Sequence, residues 1–256
     1  MSFVKPKIVC FVCNWAFSDQ ELSFSGIQKV AKVNVVNVKC IGRLDPVIVL
    51  EAFIKGVEGV LLVGCAPPDC HFIEGYIYAQ STVYTLKKLL ALANLEPERL
   101  RLRLVSPLEE IRFVKILGDF VEQLERLGPS PLSKEKYDAK VFENVLAAKN
   151  VAASFRLKAW IGKEAELTRT GNVYGKRFSK EEFETLLEDI IKAEFIRHKI
   201  LLLTKKKPSS VKELAEILNM KPAIVLRHIL NMRRKGMIAL DSVDGVTPLY
   251  KAMEVQ

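Results

Sequence analysis

Short apolar runs alternate with longer amphipathic stretches through the first half of the chain. Lys7–Cys13 (KIVCFVC), Asn34–Lys39 (NVVNVK), Gly59–Val63 (GVLLV) and Leu100–Val105 (LRLRLV) are brief and largely aliphatic, which predicts strands. The arginines of the fourth run predict a sheet edge. Between the runs, Pro46–Lys55 spaces its apolar residues as a helix does and stops at Gly56, a C-terminal cap. Ile73–Asn94 puts Leu86, Leu89, Leu90 and Ala93 on one helical face, and Glu109–Leu127 is amphipathic up to Gly128-Pro129. Strands alternating with helices predict an α/β domain over residues 1–128, a four-stranded parallel sheet with helices on both faces.

The pattern changes beyond residue 128. Gly128-Pro129-Ser130-Pro131-Leu132-Ser133 reads as a connection, and Lys136–Trp160 as an alanine-rich helix. Gly162–Phe178 reads as an irregular loop. Ser179 and Glu182 form a capping box that opens a further helix from residue 180. Residues 129–192 are thus expected to be a helical linker region. Residues 193–256 predict helices over Phe195–Leu203, Ser210–Asn219 and Lys221–Lys235. A hairpin turned at Asp244-Gly245 follows and returns through Leu249-Tyr250-Lys251. This order resembles the winged helix-turn-helix family, most clearly in Glu213-Leu214-Ala215 and Leu230–Gly236. In DNA-binding members the second helix of the motif enters the major groove, where Lys221, Arg227 and His228 would lie, with Arg233 and Arg234 near the backbone. The apolar Ile224 and Leu226 on the same helix favour a protein-docking module instead.

Hydrophobic residues make up 49% of the 256, enough for a sizeable core, yet no apolar run reaches the roughly 18–20 residues of a membrane span. The first residues lack the features of a secretory signal, which predicts a cytoplasmic protein with no membrane partner. The formal net charge of +9 suits an acidic partner without choosing between nucleic acid and protein.

Cysteine changes the picture more than charge does. All five cysteines, Cys10, Cys13, Cys40, Cys65 and Cys70, fall in the first 70 residues. Clustered cysteines in such a chain point to metal binding or redox chemistry rather than a disulfide framework. Cys13, Cys40 and Cys65 close the first three predicted strands, and Cys70 follows in the loop behind the third. Parallel sheets of this kind bind ligands beyond the carboxyl ends of their strands. Strand ends about 5 Å apart let four thiols converge there. Cys10 lies on the opposite face of its strand, deeper in the sheet, and reads as a core residue. Four thiolates suit zinc or an iron–sulfur cluster, and ligands scattered over separate strands suit the cluster better. Buried small hydrophobes, or a dithiol centre of Cys65 and Cys70, are the other readings.

Residues 6–128 resemble the delta subunit of methyl-viologen-reducing hydrogenase, which is found fused to heterodisulfide reductase as well. The resemblance rests on Phe11-Val12-Cys13-Asn14-Trp15, Cys40-Ile41-Gly42-Arg43-Leu44-Asp45-Pro46, Gly59-Val60 to Gly64-Cys65 and Asp69-Cys70-His71-Phe72. Glu98-Arg99-Leu100, Glu109 and Arg112-Phe113 extend it. It implies one [2Fe-2S] cluster on Cys13, Cys40, Cys65 and Cys70. It also implies a non-catalytic relay between a hydrogenase or other dehydrogenase and a flavoprotein of the heterodisulfide reductase type. The alternative is a redox-sensing winged-helix regulator of transcription. The family's usual cysteine after Asn14-Trp15 is Ala16 here, which leaves Cys10 and His71 as substitute ligands. Arg43 would offset the charge of the site or pair with Asp45, and Trp15 would shield the site or simply pack. No Ser/His/Asp arrangement or paired acid/base carboxylates accompany these motifs.

Overall fold

The computed structural model describes residues 5–17, 31–106 and 112–253. The chain divides into two compact units, Met1–Ile191 and Lys192–Gln256.

In the first unit, strands β1 (Lys7–Cys13), β2 (Lys32–Val38), β3 (Gly59–Cys65) and β4 (Leu100–Val105) form one parallel sheet in the order β2-β1-β3-β4. β3 is buried along its whole length, as its uninterrupted apolar run requires of an inner strand. β2 alternates half-buried with exposed positions, and β4 carries its arginines on the far edge. Two helices follow the pattern read from the sequence: α1 (Pro46–Ile54) and α2 (Gly75–Leu92). Asp45 caps α1 by accepting the Val47 N–H at 2.9 Å, with Pro46 at the first helical position. Helix α3 (Phe113–Leu127) matches the described part of the predicted Glu109–Leu127 helix. Residues 109–111 lie outside the described residues.

Helices cover both faces of this sheet. The apolar stripe of α3, from Phe113 through Ile116, Leu117 and Phe120 to Leu124, packs on Ile8, Cys10, Val12, Leu61 and Val63. On the opposite face Ala79 of α2 joins Cys13, Cys65, Leu102 and Leu104. Arg99, fully buried at the head of β4, locks this edge. Its guanidinium pairs with Glu96 at 2.8 Å and donates to the carbonyls of Glu58 and Gly128. Gly128 caps the end of α3, so Arg99 ties that end to the sheet.

The region after residue 128 differs from expectation in two ways. The predicted helix over 136–160 is two helices, α4 (Ala139–Ala153) and α5 (Phe155–Arg169), broken at Ser154. Ser154 is extended, and its hydroxyl accepts the Leu157 N–H at 3.4 Å, so it ends one helix and caps the next. The expected loop from Gly162 is helical as far as Arg169 because α5 runs through Gly162, whose α-carbon faces open space. Helix α6 (Lys180–Lys206) starts at the predicted capping box. Ser179 and Glu182 exchange hydrogen bonds of 2.8 and 3.1 Å. It then runs without interruption over the separately predicted Phe195–Leu203 helix, since no glycine or proline intervenes.

The second unit contains β5 (Ser209–Ser210), α7 (Val211–Leu218), α8 (Pro222–Arg234), β6 (Ile238–Asp244) and β7 (Thr247–Ala252), with the strands antiparallel in the order β5-β7-β6. Ser210 and Glu213 form a reciprocal capping box at the head of α7, and left-handed Asn219 ends it. Ile200, Leu214, Val225, Ile229, Met232, Ile238 and Tyr250 make its core.

Candidate metal centre

The sheet order puts β1 between β2 and β3, so the ends that carry Cys13, Cys40 and Cys65 are neighbours. Cys13 and Cys65 are the last residues of β1 and β3. Cys40 lies just past β2, at the start of the 3-10 turn Ile41–Arg43, and Cys70 lies in the loop between β3 and α2. Cys13, Cys40, Cys65 and Cys70 are each buried. Cys10 is buried too, but in the α3-facing core among Ile8, Val12, Leu61 and Val63.

Two of the four rim thiols are in direct contact. Cys13 Sγ and Cys65 Sγ are 3.9 Å apart. Two thiolates on one metal at bond lengths near 2.3 Å stand about 3.8 Å apart in a tetrahedron, so this pair has the span of a shared metal. The other two flank the first residue of α2. A Cβ on Gly75 would lie 2.6 Å from Cys40 Sγ and 3.5 Å from Cys70 Sγ. Gly75 therefore leaves the space that these sulfurs occupy, and no other residue type could stand there without moving them. Among the described residues, no group of three or more Cys, His, Asp or Glu gathers tightly enough to hold a single metal ion. An all-thiol donor set fits either zinc or an iron–sulfur cluster.

The local electrostatics favour holding Cys40 and Cys65 protonated until something positive arrives. Burial pushes the Cys65 thiol up to about 12. The His71 backbone N–H opposes this, and the neighbouring Cys13 and Cys70 reinforce it. Burial likewise raises Cys40, against hydrogen bonds from the Gly42 and Arg43 N–H groups. Those backbone donors, together with the positive end of α2 beside Cys40 and Cys70, would serve a thiolate sulfur once a metal had displaced the proton. Cys13 donates to the Lys39 carbonyl at 3.4 Å.

His71 stacks on Trp15 with ring centroids 3.6 Å apart and planes 9° from parallel, and it meets Phe72 edge-on. Trp15 is half exposed, so the stack sits over the rim rather than within the core. Asp45 pairs with Lys158 at 2.8 Å, and the exposed Arg43 reaches Cys40 through its backbone N–H. Ala16 packs against both the rim cluster and the α3-facing core, as an apolar filler. Gly75 was not singled out by sequence reasoning. The available signal was a glycine at a helix start with no capping reason to be there, which points to a close approach.

The site is thus a parallel α/β sheet with four buried thiols on its carboxyl rim, two of them beside one glycine. Comparison with known proteins gives the family. The profile for the methyl-viologen-reducing hydrogenase delta subunit matches residues 8–128. An iron-sulfur subunit of the F420-non-reducing hydrogenase of Archaeoglobus profundus is 37% identical over 128 residues, which are 49% of this chain and 93% of that protein. The vhc iron-sulfur subunit of the F420-non-reducing hydrogenase of Methanococcus voltae is 32% identical, over 51% of this chain and 92% of its own length. One subunit of the ferredoxin:CoB-CoM heterodisulfide reductase of Methanosarcina mazei is 36% identical over 144 residues, 55% of this chain but only 18% of that protein. The chain belongs to the methyl-viologen-reducing hydrogenase delta subunit family. No helix among the described residues is long and apolar enough to cross a membrane.

Proposed function

We propose that this protein is an electron-transfer subunit whose first unit holds one [2Fe-2S] cluster on Cys13, Cys40, Cys65 and Cys70. The observation that carries the reading is the gathering of four buried sulfurs at one rim, with Cys13 and Cys65 in contact and Cys40 and Cys70 both beside Gly75. The names of the relatives, iron-sulfur subunits of hydrogenases and subunits of heterodisulfide reductases, support it. Such a cluster accepts and returns one electron at a time.

The chain's own residues do the rest. The sheet fixes Cys13 and Cys65 at strand ends. Gly75 lets α2 approach Cys40 and Cys70, and backbone N–H groups of Gly42, Arg43 and His71 stabilise negative sulfur. Cys10 stays in the core and leaves the ligand set to the other four. The exposed Trp15–His71 stack limits water at the rim. On this reading the protein passes electrons between a hydrogenase or other dehydrogenase and a flavoprotein of the heterodisulfide reductase type. The second unit acts as a winged helix-turn-helix docking module within the complex, and both units work in the cytoplasm.

Anaerobic purification followed by iron and sulfide analysis, absorption and EPR tests the reading. Two irons and two sulfides per chain, with an EPR signal on one-electron reduction, are expected. Zinc, or a metal-free protein that no reconstitution loads, would overturn it.

A further inference from the structure

We propose that the opposite end of the same sheet carries a pocket for a small phosphate-bearing anion. Lys7 and Lys32 are the first residues of β1 and β2, stand in register, and are both exposed. Neighbouring strands lie about 4.8 Å apart, so the two lysine side chains leave the sheet side by side. Lys5, Lys55 and Lys134 line the same cavity of about 350 Å³, together with Ser133. Cavities of roughly 300 Å³ and above suit small-molecule ligands.

Ser133 supplies the second observation. Its side chain is buried in the cavity wall, and its hydroxyl has no hydrogen-bond partner. A buried hydroxyl without a partner is destabilising, and native structures rarely leave one so. An oxyanion in the cavity would accept a hydrogen bond from it and draw the lysine ammonium groups together.

Charge sets the sign of the ligand. Two carboxylates, Glu58 and Glu135, also line the cavity, against five ammonium groups. The carbonyl end of α1, at Ile54 and Lys55, disfavours an anion by only about half an elementary charge. The ammonium excess outweighs it. Lys55 also meets Glu51 at 3.7 Å, an exposed pair of little weight. A compact anion with several acceptor oxygens, such as a diphosphate group, matches this donor set better than a single carboxylate does. The group could be free or the phosphate end of a nucleotide.

Isothermal titration of the full-length protein with inorganic pyrophosphate, and separately with ADP, tests the proposal. Saturable one-to-one binding is expected, weakened about tenfold in the Lys7→Gln/Lys32→Gln variant and by a smaller factor in Ser133→Ala. Tighter binding of ADP would assign a nucleotide, and equal affinities would assign the diphosphate group alone. No saturable binding of either probe, or affinities unchanged in both variants, would overturn the proposal.

Discussion

Cys10 and Cys13 sit three residues apart on β1, and both are sealed from solvent. One faces α3 among aliphatic side chains, where burial raises its thiol to about 12. The other closes the strand, meets a second sulfur at 3.9 Å, and lies beside the end of a neighbouring strand. The residue type and the burial are the same, yet only one is placed for chemistry. Burial of a cysteine therefore identifies nothing. What identifies a site is the topology that brings several strand ends, and their thiols, to one rim.

The comparison breaks most sharply at Cys65. Cys65→Ser should abolish the cluster absorption and EPR signals while far-UV circular dichroism keeps the α/β pattern. A retained full signal would remove Cys65 from the ligand set. The next effect in size is at Gly75. Gly75→Ala pushes a methyl group into Cys40 Sγ, and forcing extra bulk into a packed site costs about 1–3 kcal/mol. Reduced iron content and a lower melting temperature are expected together, and a normal iron content would show that the α2 approach is incidental. Cys10→Ala should cost about 1–2 kcal/mol through a small cavity and leave the spectrum unchanged. Loss of the signal there would show that Cys10 is a ligand, in place of the thiol absent at Ala16.

The smallest effect contrasts buried thiols with buried imidazoles. In the second unit burial lowers the pKa of His198 and of His228; Glu194 opposes the shift in both, while Arg197 reinforces it. The folded state resists their protonation more than the unfolded chain does. Their contribution is complete above the unfolded value near 6.5 and declines as the pH falls through the folded values. The second unit should melt at a lower temperature at about pH 5 than at about pH 7, and His198→Gln should flatten that dependence.

Much of this was legible in the sequence because the strands are short apolar runs that cannot be long helices. Gly59–Cys65 and Lys7–Cys13 announce inner strands, and the arginines of Leu100–Val105 announce an edge. The rim position of Cys13, Cys40 and Cys65 follows from strand ends alone. Ser154 was not legible, since a serine is equally at home inside a polar helix face and at a cap. Gly162 misled for the complementary reason: glycine weakens a helix by only about 1 kcal/mol, which the packing of Leu157 and Ile161 overrides. The gathering of the sulfurs and the role of Gly75 depend on how α2 meets the 3-10 turn. No local pattern encodes that tertiary fact.

The helices beyond the family boundary bear on how the protein can be cut. The family match ends at residue 128, whereas the first compact unit continues to Ile191. Helix α4 buries Val145, Ala148 and Val151, packs on α1 and α2, and joins them through Lys149–Glu51 at 2.9 Å and the Asn144 contact with the Ala93 carbonyl. Lys158 of α5 holds the cap of α1 through Asp45, and Arg169 holds Glu74 at the head of α2, next to the sulfur cradle. A fragment trimmed to the length of its relatives would lose this buttress and bare the outer flank of the two helices that position Cys40 and Cys70. The autonomous piece of this chain is therefore longer than its ancestry suggests.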